Sequence, residues 1–343
     1  MCRPDRAADE SLLALTGALA ASAGEGKPRA LSRLAGGKNN QVYRVDTETG
    51  RPLVLKRYFS DPRDQRDRLA AEWRFLEAAS ARGIRCVPAP LACDAASHAA
   101  LYSFVEGRKL AAAELKPAHI DAAVDFVLAV NAPPRTELAP ASEACFSLAE
   151  HVATVERRVA RLAVLDPAAP HAREALSFIS TRLIPAWETV KSRLAADAHD
   201  AGLAMDAPLP PADCCLSPSD FGFHNALVDG GGRLSFLDFE YAGHDDPAKL
   251  VSDFFCQPEI PAPLEYHAAF IARLADGLNL EAKDRARCRM LLDAYRIKWT
   301  CIILNDFLPL GAARRAFADA SELAARCAAQ LAKAKANLTG LQA

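Results

Sequence analysis

The chain has 343 residues, enough for two lobes around a buried core. Its 41 Lys and Arg against 43 Asp and Glu give a formal charge of -2, which offers no electrostatic case for nucleic acid or an anionic membrane surface as partner. No apolar run approaches the roughly twenty residues a membrane span needs, and ten scattered Cys with no C-x-x-C pair favour a reducing, cytoplasmic setting over a disulfide framework or a zinc site.

From Met1 to Gly24, Leu12, Leu13, Leu15 and Leu19 form a short apolar run preceded by Asp5, Asp9 and Glu10. Those acids argue against a secretory leader. The stretch reads as a short amphipathic helix with Ser11 placed to cap it. From Leu31 the texture is β. Gly36-Gly37-Lys38-Asn39-Asn40 is a turn-rich loop between strands, and a second turn, Asp46 to Arg51, leads to a strand carrying Lys56. As a nucleotide site, this loop lays backbone N–H groups of Gly37, Asn39 and Asn40 over phosphates, and Lys56 points at the α- and β-phosphates. As plain structure, the loop is a good hairpin turn and Lys56 a solvated lysine. Arg63 to Arg82 reads as a helix with Leu69, Trp73 and Leu76 on one face. It offers Glu72 and Glu77 as partners for Lys56.

Val87-Pro88-Ala89-Pro90 begins an extended segment, and Ala99 to Gly107 is the next strand. Beyond Arg108 the chain turns helical: Leu115 to Ala132, Phe146 to Leu165, and Ala172 to Ala196, with Pro185 expected to kink or end the last. Arg157, Arg158 and Arg161 read as a solvated face. Toward the C-terminus, Met290 to Asp306 is apolar nearly all round, so it should be a buried helix in which Arg296 and Lys298 require partners. Asp246, Asp253 and Asp293 are the acids on offer; the alternative is that Arg296, Lys298, Asn305 and Asp306 line an acceptor pocket.

The informative stretch is Ser217-Pro218-Ser219-Asp220-Phe221-Gly222-Phe223-His224-Asn225. It is followed by a hairpin, Ala226 to Leu237 around the turn Asp229-Gly230-Gly231-Gly232, and then Asp238-Phe239-Glu240. Phosphoryl transfer asks for a carboxylate to orient the attacking hydroxyl and oxygen ligands for Mg²⁺. Asp220 and Asn225 lie five residues apart, and Asn225 and Asp238 thirteen. That is the spacing of a protein-kinase catalytic loop and its metal-binding Asp.

These blocks resemble the aminoglycoside phosphotransferase and choline kinase-like family, small-molecule kinases whose loop usually reads H-G-D-x-x-x-x-N followed by I-D-[FW]-[EG]. The resemblance implies an α+β, protein kinase-like bilobal fold with a β-rich N-lobe and a mainly helical C-lobe. It divides the chain into an N-terminal extension (1–30), a nucleotide lobe (31–107) and a helical lobe with the catalytic hairpin (108–338). It makes Asp220 catalytic and gives the metal, Mg²⁺, to Asn225 and Asp238. The donor is ATP or GTP. Glu72 is favoured over Glu77 for Lys56 because Glu-Trp-Arg-Phe-Leu resembles the family's helix start, and the hinge strand puts backbone groups at Ser103 and Val105 on the adenine edge.

Pro218 stands where the family has His, which bears on loop packing more than chemistry; His224, beside Asn225, is not counted as its replacement. Asp246-Pro247 survives from the family's Gly-Asp-Pro, with Asp246 a structural acid, and Glu240 is either a supporting acid or a surface residue. The implied activity is transfer of a γ-phosphoryl group to the hydroxyl of a small molecule (a sugar, amino sugar or amino alcohol) by a monomer or homodimer. The Arg-rich C-terminal region argues for a neutral or anionic acceptor over a polycationic antibiotic. The rival readings are an aminoglycoside-resistance kinase, a nucleotide-binding pseudokinase and a helical scaffold with a chance Asp/Asn/Asp set.

Overall fold

The structure is a computed structural model that describes residues 6–34, 40–60, 64, 66–308 and 320–341. The chain divides into two compact units: Met1–Ser142 with Leu216–His244, and Glu143–Cys215 with Asp245–Ala343.

The first unit is built on a five-stranded antiparallel sheet in the order β1-β2-β3-β5-β4, with β1 Pro28–Arg33, β2 Gln41–Thr47, β3 Leu53–Arg57, β4 Pro90–Asp94 and β5 Ala99–Ser103. Period-two alternation along β3 decides what each face does. Leu53 and Leu55 join Val45, Ala92, Ala99 and Leu101 in a buried cluster completed by Leu12, Leu19 and Ala20 of helix α1 (Arg6–Ser22). Lys56 therefore points to the other face, toward helix α2 (Arg68–Ala81).

Two helix starts differ from the sequence reading. Ser11 lies a turn inside α1, because the Ala-rich residues before it extend the helix. Helix α2 begins at Arg68 because the Asp67 carboxylate accepts the Ala70 N–H at 2.9 Å, an N-cap that fixes the start.

After the sheet, Gly107 leads into the short strand β6 (Arg108–Lys109), which pairs with the hairpin that follows Asn225. A Cβ at Gly107 would lie 3.0 Å from Leu227 Cβ and Val228 O, and its φ of +147° suits glycine. Helix α3 (Pro117–Val130) follows, starting on a proline. Strand β7 (Cys215–Ser217) leads to the Asp220 loop, and β8 (Ala226–Val228) and β9 (Leu234–Phe236) form the hairpin. Five phenylalanines tie these pieces together. Phe126 of α3 stacks on Phe236 at 4.8 Å, Phe75 of α2 stacks on Phe239 at 4.5 Å, and Phe221 lies 5.1 Å from Phe236. The loop thus sits on a rigid aromatic floor.

The second unit is helical: α4 Leu148–Arg161, α5 Ala172–Phe178, α6 Ile184–Asp200, α7 Pro247–Cys256, α8 His267–Leu278, α9 Ala282–Met290, α10 Leu292–Ile303 and α11 Ala320–Leu338. The expected break in this helical run falls just before Pro185. A π-helical turn, Ile179–Leu183, absorbs the break so that the proline falls in the first turn of α6, where its missing N–H costs little. Helix α10 packs against α4, α6, α7, α9 and α11, as its all-round apolar sequence requires. Together, an antiparallel sheet and a mainly helical remainder make the fold α+β. Among the described residues, no helix is long and apolar enough to cross a membrane.

Candidate active site

Lys56 is buried and donates to two carboxylates, Glu72 Oε2 at 2.6 Å and Asp238 Oδ1 at 2.6 Å. Burial alone would lower its pKa; the nearby charges of Glu72, Asp238 and Glu240 outweigh that and hold it well above the usual lysine value. Glu72, not Glu77, is thus the helix acid that reaches it. Glu72 is itself fixed from three sides, accepting also from Tyr58 OH at 2.8 Å and Phe239 N at 3.3 Å. Tyr58 shares a further bond of 2.7 Å with Tyr102 OH. Burial, with the Glu72 charge beside them, raises both phenols above the usual tyrosine range.

On the hairpin side, Asn225 Nδ2 donates to the Asp220 carbonyl at 2.9 Å and lies 3.5 Å from its Oδ2. The Leu237 N–H donates to Asn225 O at 2.8 Å, which fixes Asn225 against the strand that delivers Asp238. Both carboxylates are part-exposed: the side chains of Asp220 and Asp238 keep 34% and 36% of their accessible surface. The backbone enters the left-handed region at Ser219 (φ +67°) and Asp238 (φ +68°). Non-glycine residues there cost of order 1–3 kcal/mol each, strain that the surrounding packing must hold in place.

The residues on either side of Pro218 are held by side-chain hydrogen bonds. Asn131, just past α3, accepts the Leu216 N–H at 2.7 Å and donates to Leu216 O and Val127 O at 2.9 Å each. Ser217 Oγ accepts the Ser219 N–H at 3.0 Å. Pro218 is therefore bracketed by residues that secure the loop. Nothing near Asn131 in sequence signals this; it reads only as a helix end before Pro133-Pro134.

Other expected residues behave differently. Asn40 is buried. Its Oδ1 accepts the Phe59 N–H at 3.2 Å and its amide donates to Glu240, so its side chain braces the loop's exit. Glu240 is accordingly no surface residue, being buried with Arg68 3.9 Å away. Gly37 and Asn39 lie outside the described residues. The Ser103 N–H is committed to Ala89 O at 2.9 Å and its Oγ accepts the Ala89 N–H at 2.8 Å.

In the helical unit, Lys298 pairs with Asp253 at 2.7 Å, the structural alternative for that lysine, and Trp299 Nε1 donates to the same acid at 2.8 Å. Asp246 caps α7 through Ala248 N at 2.7 Å, meets His151 Nε2 at 3.1 Å and bonds Arg287.

The donor set suits a hard cation. The Asn225 amide nitrogen is spent on Asp220, so its oxygen would be the atom facing a cation, and Asp238 has a part-exposed carboxylate. Mg²⁺ is typically held by one or two such groups together with substrate phosphates. Among the described residues no cluster of three His, Cys, Asp or Glu could cage a metal, which is the pattern of a closed site instead.

The sequence pattern of the phosphotransferase enzyme family matches residues 30–291. The chain belongs to this family. Within it, the fold is that of small-molecule kinases. A spectinomycin phosphotransferase bound to ADP and spectinomycin superposes with a TM-score of 0.59 at 13% identity, covering 98% of this chain and 99% of that one. Choline kinase LicA from Streptococcus pneumoniae gives 0.58 at 15% identity, covering 98% and 99%. A choline/ethanolamine kinase family protein from Mesorhizobium loti gives 0.55 at 20% identity, covering 91% and 88%. The comparison with curated proteins gives no match. The protein is a small-molecule kinase.

Proposed function

We propose that this kinase moves the γ-phosphoryl group of ATP or GTP to the hydroxyl of a small polar alcohol, with a sugar, amino sugar or amino alcohol as the acceptor class. One observation carries the reading: Lys56 is clamped between Glu72 and Asp238, while Asp220, in the same unit, keeps a part-exposed carboxylate beside Asn225. In this assignment Lys56 binds α- and β-phosphate oxygens and Glu72 holds it in place. The main chain at Asn40 lies over the phosphates, and groups at Ser103 and Val105 bind the base. Asn225 and Asp238 hold Mg²⁺, which neutralises phosphate charge when bound. Asp220 takes the proton of the acceptor hydroxyl as its oxygen bonds to the γ-phosphorus. The bond from that phosphorus to the β–γ bridging oxygen breaks, and the nucleoside diphosphate leaves.

Similar structures are described as kinases of choline, ethanolamine and spectinomycin, which supports an alcohol acceptor on a small polar molecule. The charge pattern argues against a polycationic antibiotic as the acceptor. We place the functional boundary between nucleotide and acceptor lobes near Gly107, with 1–30 as an extension. None of the nine cysteines of the described residues is in a disulfide, which supports a reducing, cytoplasmic setting. The test is an acceptor screen (amino alcohols, sugars, amino sugars, aminoglycosides) with Mg·ATP and Mg·GTP, wild type beside Asp220→Asn. Transfer by wild type and its loss in the variant support the reading; equal turnover by both refutes the role of Asp220.

A further inference from the structure

His224 lies in the 3₁₀ turn Phe223–Asn225, and its Nε2 sits 3.2 Å from Asp220 Oδ1. A carboxylate oxygen accepts, so Nε2 carries the hydrogen and donates. The other ring nitrogen, Nδ1, is enclosed without a hydrogen-bond partner among the described residues, as suits a bare nitrogen better than an N–H. The ring is held from its own backbone too, since Lys109 Nζ donates to His224 O at 3.1 Å. Its side chain is only 16% exposed. The two oxygens of Asp220 are therefore unequal. Oδ1 is tied to His224, whereas among the described residues Oδ2 has only the 3.5 Å approach of Asn225 Nδ2, at the limit of a hydrogen bond.

The terminal torsion of an aspartate is soft and roughly two-fold, so an untethered carboxylate rotates freely. We propose that His224 is a positioning residue: by holding Oδ1 it stops that rotation and presents Oδ2 to the acceptor hydroxyl. This rests on the reading of Asp220 as the group that takes the acceptor's proton. It gives the loop a second, polar constraint at the carboxylate itself, where the aromatic floor and Asn131 constrain only the backbone.

The experiment compares wild type, His224→Phe, His224→Gln and Asp220→Asn, following phosphate released from Mg·ATP with water as acceptor. Glutamine places an N–H donor where Nε2 lies; phenylalanine keeps the ring and removes the donor. His224→Phe should lose about 10- to 100-fold in kcat, the scale of a misplaced reacting group, with KM for ATP within about twofold and an unchanged melting temperature. His224→Gln should recover most of the loss. An activity-independent arm records the ring nitrogens of histidine-labelled protein by NMR: Nε2–H in wild type, a mixture in Asp220→Ala. If Asp220→Asn keeps turnover, the underlying role of Asp220 is wrong. If Asp220→Asn is inactive while both His224 variants match wild type, or both are equally slow, or the wild-type ring is the Nδ1–H tautomer, the positioning role alone is overturned.

Discussion

Lys56 and Lys249 are both buried lysines held by two carboxylates, one in each compact unit. Lys56 meets Glu72 and Asp238 at 2.6 Å each; Lys249 meets Asp245 at 2.6 Å and Asp253 at 3.8 Å. In both, burial alone would lower the lysine pKa and the acids more than reverse it. The difference lies in the acids. Asp245 is fully buried and Asp253 nearly so, whereas Asp238 keeps 36% of its surface. Asp245 also accepts the N–H groups of Cys145 at 3.1 Å and Asp246 at 2.9 Å, leaving little capacity for a ligand. A buried cation whose partners are all spent is a fastening; one with an exposed partner can exchange it.

The sharpest way to break this comparison is to remove one acid from each cluster. Asp245→Ala leaves Lys249 buried with a distant partner and orphans two backbone N–H groups. It should destabilise the fold by about 3–5 kcal/mol, read as denaturant midpoint, with normal turnover by the molecules that remain folded. Asp238→Asn should do the reverse, losing about 10²- to 10³-fold in turnover while shifting stability by no more than about 1 kcal/mol. An Asp238 variant that unfolds but transfers phosphate would reverse the assignment of the two clusters.

The pH dependence of stability sharpens the same contrast, because it should come from the closed unit. His151 is buried, and burial alone would lower its pKa; its bond to Asp246 and the nearby Cys145 raise it from 6.5 to about 9. Its contribution is complete below pH 6.5 and is lost as pH rises through about 9. Burial would raise Asp246, but His151 and Arg287 pull it from 3.8 to about 2, so that contribution is present above pH 3.8 and lost as pH falls through about 2. His267, lowered by burial and Arg289 from 6.5 to about 4, favours the fold above pH 6.5 and stops doing so as pH falls through about 4. Melting temperature should peak near pH 6.5 and decline on both sides. His151→Phe should remove the alkaline decline. The smallest expected effect is a cap: Ser147 Oγ accepts the Glu150 N–H at 3.2 Å at the start of α4, and Ser147→Ala should cost about 1 kcal/mol without changing turnover.

How much of this was legible depended on whether the information was local. The hairpin, its Asp-Gly-Gly-Gly turn and the Lys-bearing strand follow from period and turn chemistry, and Lys298 was rightly sent in search of an acid because a buried charge demands one. The five-and-thirteen spacing made Asp220, Asn225 and Asp238 candidates, since a hairpin converts that separation into proximity. Asn131 and Tyr58 were invisible because each acts on a residue far along the chain. Glu240 could not be told from a surface acid until Asn40 and Arg68 closed on it. His224 was set aside by its place in the motif, and only geometry turns its ring to Asp220.

Helix α1 has a practical consequence. It covers Val45, Leu53, Leu55, Ala92, Ala99 and Leu101 on the back of the sheet whose front carries Lys56. A shortened chain starting at Pro28 would keep every candidate site residue and yet bare that whole apolar sheet face. Loss of solubility in such a truncation would therefore say nothing about catalysis, and a purification handle belongs ahead of α1, not in its place.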